Sequence, residues 1–368
     1  MRGRRILFQG ALLCLCTFFS ATCISSQKAE SSQNNHPSLQ EKAALGIETL
    51  QSWFEPKTGL YRTTGWWNSA NAITTLADYT RVTDDPRFES ALSTAFSAAQ
   101  KTSPGFLNNF YDDEGWWALA WIDAYDITHE QRYLGMANSI FSDMKTGWDD
   151  TCSGGIWWSK DRTYKNAIAN ELFFSVAAHL AARNSDEEKK AEYLDWAQRE
   201  WNWFVHSGMI NADRQINDGL DDQCANNHKT TWSYNQGVVL GGLAELHGQT
   251  HDAKLLDEAN AIAEGTLSNP DLVDKQGILH EPCEPDCGAD GTQFKGIFMR
   301  NLASLEQISR KKEYRDFVLG NADSVWKGMK PPKREIGIRW SPPYGKANAS
   351  TQSSGVDALV AAVAVSGH

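Results

Sequence analysis

The sequence predicts an all-α fold, an (α/α)6 barrel of six helical hairpins in a single domain. Apolar residues recur three and four apart along most of the chain, and alternating β-branched runs are few, so strands are expected to be scarce. Short connections such as Thr83-Asp84-Asp85-Pro86 and His129-Glu130 alternate with long loops containing Gly, Trp and Cys. Short turns make antiparallel neighbours, and six hairpins with their long loops at one end describe an inner ring of helices inside an outer one. Length alone gives a soft expectation of two domains, but no linker-like composition interrupts the folded region.

From the N-terminus, Met1-Arg2-Gly3-Arg4-Arg5, the apolar run Ile6 to Phe19 and the small residues after it fit a signal peptide over 1–22. That run is short for a bilayer span. Residues 23–37, rich in Ser, Gln and Asn, read as a disordered leader, and 38–368 as the catalytic domain. Helices are expected at 39–54, 67–82, 86–102, 113–128, 131–146, 165–183, 187–206, 232–248, 252–266, 293–309, 311–328 and 352–365. Asp84-Asp85-Pro86 opens the third, with a capping carboxylate and Pro in the first turn. The aromatic fourth and the apolar eighth belong to the inner ring. The seventh follows the solvated run Ser185 to Lys190, which marks an outer helix, and turns Trp196 and Trp203 onto one buried face. The last segment, Asp357 to His368, is too short and polar-ended for a lipid-anchor signal.

A net charge of -11 argues against a nucleic-acid partner, and the substrate is expected to be neutral. After removal of the leader, Cys152, Cys224, Cys283 and Cys287 remain, an even number that favours two disulfides in an oxidising compartment. The short Cys283-to-Cys287 loop favours a local bridge, leaving Cys152 with Cys224, and the other pairings stay open. Asn348-Ala349-Ser350 fits a glycosylated surface loop. No G-x-S-x-G elbow, H-E-x-x-H pair, phosphate-binding Gly loop or dinucleotide fingerprint occurs, so no metal and no cofactor are demanded.

The chemistry is concentrated in Tyr111-Asp112-Asp113-Glu114-Gly115-Trp116-Trp117, where paired acids open the amphipathic run Ala118 to Tyr125. Glycosidic cleavage needs one carboxyl as proton donor and another as nucleophile or base. Consecutive helical side chains diverge by roughly 100°, so Asp112 and Asp113 can reach two sides of one bond about 5 Å apart, the short spacing of a retaining mechanism. Neighbouring apolar surface from Trp116 and Trp117 would split the pair into acid and anion. The structural alternative is that one Asp caps the helix.

Fifteen Trp include the doublets Trp66-Trp67, Trp116-Trp117 and Trp157-Trp158. Indole stacks on the apolar faces of sugars, so one member of each doublet either faces the cleft or fills the core, and the sequence favours neither. Polar groups at helix starts, Asn68 and Asn71, Tyr164-Lys165-Asn166 with Asn170, and Tyr234-Asn235-Gln236, suggest hydroxyl recognition, with packing as the alternative. Asp149-Asp150 and Asp221-Asp222 lie in loops where either pair touches substrate or bonds loop backbone.

With these residues in view, the chain resembles family 76 of the glycoside hydrolases, the α-1,6-mannanases and related fungal cell-wall enzymes. The resemblance is strongest over Tyr111 to Thr128 and extends to Gly65 to Ala72, Gly154 to Trp158, Tyr164 to Glu171, Thr231 to Gly237 and Phe294 to Phe298. It implies an (α/α)6 barrel and retaining hydrolysis inside α-1,6-linked mannan, with Asp112 as nucleophile and Asp113 as acid/base. The expected sugar contacts are Trp66, Trp67, Asn71, Trp116, Asp150, Trp158, Tyr164, Lys165, Asn170, Tyr234, Asn235, Gln236 and Lys295. The protein is expected to be secreted and monomeric, acting on α-mannan or another mannose-containing glycan without spanning a membrane. Two other readings are a cell-wall transglycosylase, sharing the covalent intermediate but using an acceptor hydroxyl, and a mannan-binding protein without catalysis.

Overall fold

The computed structural model describes residues 37–367; the expected signal peptide and all of the expected leader but Pro37 lie outside them. Twelve α-helices occur among the described residues: α1 (Leu39–Gln51), α2 (Trp66–Thr83), α3 (Glu89–Ala99), α4 (Tyr111–Thr128), α5 (Gln131–Met144), α6 (Ala167–Arg183), α7 (Glu187–His206), α8 (Ser233–Thr250), α9 (Ala253–Ser268), α10 (Phe294–Ser309), α11 (Lys312–Gly328) and α12 (Ala349–Ser366). The even-numbered helices pack successively against one another, and α12 returns to α2, closing an inner ring. The odd-numbered helices pack outside it, as the alternation of short turns and long loops predicts.

Most expected helices shift by one to three residues at an end, the twelfth starting at Ala349 rather than 352, and two of the changes have an identifiable cause. The first helix stops at Gln51, because Phe54–Glu55 pairs antiparallel with Leu60–Tyr61 in a small hairpin turned by Gly59 at φ 72°. The third starts as a 3-10 turn, Pro86–Phe88, capped by the Asp85 carboxylate on the Arg87 N–H. Inner helices lead to outer ones through residues in the left-handed conformation, Asp84, His129, His251 and Arg310. An acid side chain at the next position caps the outer segment at Asp85 and Asp252.

The inner helices are buried on nearly every side, so the ring needs small residues where backbones meet. A Cβ on Gly237 would lie 2.6 Å from Phe298 Cα, and one on Gly296 2.5 Å from Ser354 Cα. Ala or larger at either position forces α8, α10 and α12 apart.

Polar residues inside the ring follow a repeat. The fourth residue of α2, α4, α6, α8 and α12 is Ser69, Glu114, Asn170, Gln236 and Gln352. Their side chains accept the backbone N–H of Tyr61, Asn108, Ile156, Ile216 and Ile336, respectively, from the loop just before each helix. Asn170 and Gln236 also donate to the carbonyls of the same Ile156 and Ile216. In the sixth unit Asn321 of α11 takes the Leu279 N–H instead. A buried N–H without a partner costs about 1–3 kcal/mol, so this device allows each long loop to dip into the ring.

The disulfides are Cys152–Cys224 and Cys283–Cys287, the pairing favoured by the short loop. Asn348 is the N-cap of α12, accepting from the Thr351 N–H, and Ser350 is buried. The sequon is therefore a helix start rather than the surface loop expected of a glycosylation site. No helix among the described residues is long and apolar enough to cross a membrane.

Candidate active site

Every inner helix begins at the end of the ring where the long loops collect, and a cleft of about 700 Å³ opens there. The start of α4 forms one wall. Phe110 makes a β-bridge with Ser159, the Tyr111 N–H donates to Trp158 O at 2.9 Å, and Trp158 N–H donates to Tyr164 O at 2.7 Å. These bonds fasten the first turn of α4 beneath the loop carrying Trp158, and they set the indole over Asp112.

Asp112 and Asp113 are the second and third residues of α4, whose N-cap is Phe110 with no side-chain cap. Neither is the N-cap residue, although Asp112 takes one backbone N–H of the first turn. Asp112 Oδ2 accepts from Trp158 Nε1 at 2.8 Å, and its Oδ1 accepts the Asp113 N–H at 2.9 Å. Asp113 Oδ2 accepts from Asn108 Nδ2 at 2.6 Å. Asn108 is itself fixed, since its Oδ1 accepts the Phe110 N–H and its own N–H goes to Glu114. Burial pushes Asp112 up to about 8, and the neighbouring Asp113 charge adds to the rise. Burial likewise raises Asp113 to about 6, with Asp290 adding to it against the Asn108 donor. Two such carboxyls hold one proton between them near neutral pH.

The floor is aromatic. Tyr234 stacks on Phe294 at 3.8 Å, Trp67 on Trp116 at 5.6 Å, and Trp116 faces Tyr234 at 6.5 Å, all within 25° of parallel. Trp67, Trp116 and Trp158 line the cleft, one from each doublet. Trp66 and Trp117 turn instead into the aromatic core with Phe106. Trp117 therefore does not contribute the apolar surface beside the acids that was expected of it. Tyr164 lies in the cleft with its hydroxyl on Asp218 at 2.5 Å.

Several expected sugar contacts have structural work elsewhere. Lys165 is buried, its Nζ held by Asp149 Oδ1 and by the carbonyls of Thr151, Gly154 and Gly155 at 2.7–3.0 Å. Lys295 is buried between Glu284 and the Ile338 carbonyl. Asn170 and Gln236 support loop backbone, as described above. Asn71 bonds Trp67 O and Arg300, and Asn235 is enclosed within the ring. Trp66 faces the core, and Asp150 is exposed outside the cleft while its neighbour Asp149 meets Lys165 and Trp157. Asp221 bonds its own loop backbone at Gln223 and Ala225. Buried polar groups need partners; for Lys165, Lys295, Asn170, Gln236 and Asn71 the partner is protein, whereas the Asn235 amide and Trp66 Nε1 have none among the described residues.

Sequence reasoning passed over Asn108, Asp290, Trp232 and Phe294 as site residues, and Asp218 as a sugar-site residue. Asp218 and Asp290 lie in long loops with no helical period to mark them. Asp290 accepts from Trp67 Nε1 at 2.9 Å. With Asp112, Asp113 and Asp286 these acids leave the cleft lined by five carboxyls and no cation.

The model of glycosyl hydrolase family 76 matches residues 38–366. A mannan endo-1,6-alpha-mannosidase of Candida albicans is 27% identical over 262 residues, covering 64% of this chain and 57% of that protein. The chain spans less than two thirds of the length of the curated relatives it first matches. Among solved structures, an alpha-1,6-mannanase of Salegentibacter sp. HEL1_6 is 25% identical with a TM-score of 0.80, covering 89% of this chain and all of that one. An inactive variant of that enzyme, two adjacent aspartates changed to asparagine, in complex with alpha-1,6-mannotriose, matches with the same identity, score and coverage.

Proposed function

The chain belongs to glycosyl hydrolase family 76, and from that membership and the cleft we propose that residues 38–368 form a secreted, retaining endo-α-1,6-mannanase. The observation that carries the reading is the adjacent pair Asp112 and Asp113 at the mouth of a neutral-sugar-sized aromatic cleft. The Salegentibacter enzyme's inactive variant, altered at two adjacent aspartates and complexed with alpha-1,6-mannotriose, supports the same roles here.

Mannose rings lie on the floor made by Trp67, Trp116, Tyr234 and Phe294, their C–H faces on the rings. Asp112 attacks the anomeric carbon. Both of its oxygens accept from fixed N–H groups, which stabilise the anion more than the neutral acid. Asp113, with Oδ2 on Asn108 and Oδ1 free of protein donors, protonates the leaving oxygen and then takes the proton of the incoming water. Burial and the Asp113 charge keep Asp112 the higher of the two despite its two donors, and the order of roles is the one the family resemblance implies. Secretion is supported by the two disulfides, which persist in oxidising compartments.

Linear α-1,6-mannan incubated with wild type, Asp112→Asn and Asp113→Asn tests the reading. New reducing ends from wild type only, with unchanged helical circular dichroism in all three, are expected. Near-normal turnover by either variant rejects the assignment. Product sizing separates hydrolysis from transfer, which also yields longer glycans.

A further inference from the structure

The same end of the ring holds a second concavity of about 660 Å³, formed by the α11–α12 loop and Trp53 of the α1–α2 loop. Its charge is opposite to that of the chain. Lys330, Lys333, Arg339 and Lys346 line it, and the single acid among its lining residues, Glu335, is occupied by Lys333 at 3.7 Å. Lys330, Arg339 and Lys346 carry no acidic partner among the described residues. Two aromatic side chains, Trp53 and Tyr344, complete the walls. Unpaired cations beside aromatic faces in a protein of net charge -11 make a local attractor for anions, and Arg and Lys together suit the oxygens of phosphate or sulfate.

The cleft repels the same groups with its five carboxyls. The two sites also share an anchor: Lys295 Nζ binds Glu284, in the disulfide loop that forms one side of the cleft, and the Ile338 carbonyl, in the loop that walls the second concavity.

We propose that this second concavity holds an anionic ester, phosphate or sulfate, carried by a glycan whose neutral mannose residues occupy the cleft. The inference rests on the mannan reading above. A charged substituent excluded from the cleft is received by the basic loop on the same face, so substituted chains are bound in preference to bare ones.

The test compares wild type with Lys330→Gln/Arg339→Gln/Lys346→Gln, all outside the cleft, on α-1,6-mannan before and after chemical phosphorylation. At low salt the wild-type KM for the phosphorylated chain is expected to be about tenfold below that for the neutral chain. The difference disappears in the triple variant and at high salt, while turnover of neutral mannan is unchanged. Equal KM values for the two chains in wild type, or a preference that survives the triple change, overturn the proposal. Wild type that leaves neutral mannan uncut refutes the mannanase reading instead, and titration with mannose 6-phosphate then decides this one: binding lost in the triple variant supports it, and no binding overturns it. Inorganic phosphate competing as well as the sugar phosphate, or capture by phosphatidylserine vesicles with no effect of mannan phosphorylation, overturns the glycan assignment.

Discussion

Trp158→Phe removes one hydrogen bond at the proposed reaction centre. The substitution keeps a six-membered ring against Phe110, 4.9 Å away between centroids, and removes the Nε1–H that reaches Asp112 Oδ2 at 2.8 Å together with the five-membered ring that carries it. A hydrogen bond to a charged group contributes about 1.5–3 kcal/mol. With about 1.4 kcal/mol per factor of ten, kcat/KM on α-1,6-mannan should fall roughly 10- to 150-fold. The same free energy corresponds to about 1–2 pKa units. The lost donor favoured the ionised form, so the apparent pKa of the pair rises and the acid limb of the kcat/KM profile moves to higher pH. The assay is reducing-end release at steps across pH 4–9, with circular dichroism and Tm recorded for each protein. An acid limb in its wild-type place, with kcat/KM within about twofold, would refute the role given to Asp112.

Lys165→Met strips the cation from a group of inward carbonyls, and losing one partner of such a buried charged network costs about 3–5 kcal/mol; urea unfolding should show that loss, whereas a stable protein with a raised KM would return Lys165 to the sugar. Gln236→Leu leaves the N–H and C=O of Ile216 unpaired, about 1–3 kcal/mol each, while Tyr234→Ala on the cleft floor should chiefly raise KM; the reverse pattern would contradict their placement. Glu200, in α7, is buried and held well above its ordinary value of 4.5 by loss of solvation. The folded state thus binds its proton more tightly than the unfolded one, and stability falls as pH rises past 4.5. Glu200→Gln removes that dependence, so its Tm advantage over wild type should grow between pH 4 and pH 8, and a constant difference would be contrary.

Helical period, turn length and loop composition carried the ring architecture, because each inner helix still shows apolar residues at the spacing of its neighbours. The overrun of the first helix came from Phe54 and Glu55, whose pairing with Leu60 and Tyr61 is a tertiary matter that no local pattern shows. At the site, the paired acids stood out because charge is rare at an aromatic helix start. Lys165, Asn170 and Gln236 misled for the same reason: an amide or ammonium aimed at loop backbone looks in sequence like one aimed at a hydroxyl. The available sign was positional, since the fourth residue of five inner helices serves the preceding loop. Asn108 was passed over because its work is to hold Asp113, and a loop asparagine announces no partner.

The most direct measurement is proton NMR of linear α-1,6-mannotetraose during the first turnovers, following the anomeric signal of the newly formed reducing end. If Asp112 forms a covalent intermediate that Asp113 helps water to open, the α-anomer appears first and equilibrates to β afterwards. First release of the β-anomer, or no cleavage at all, would contradict the double displacement assigned to this pair.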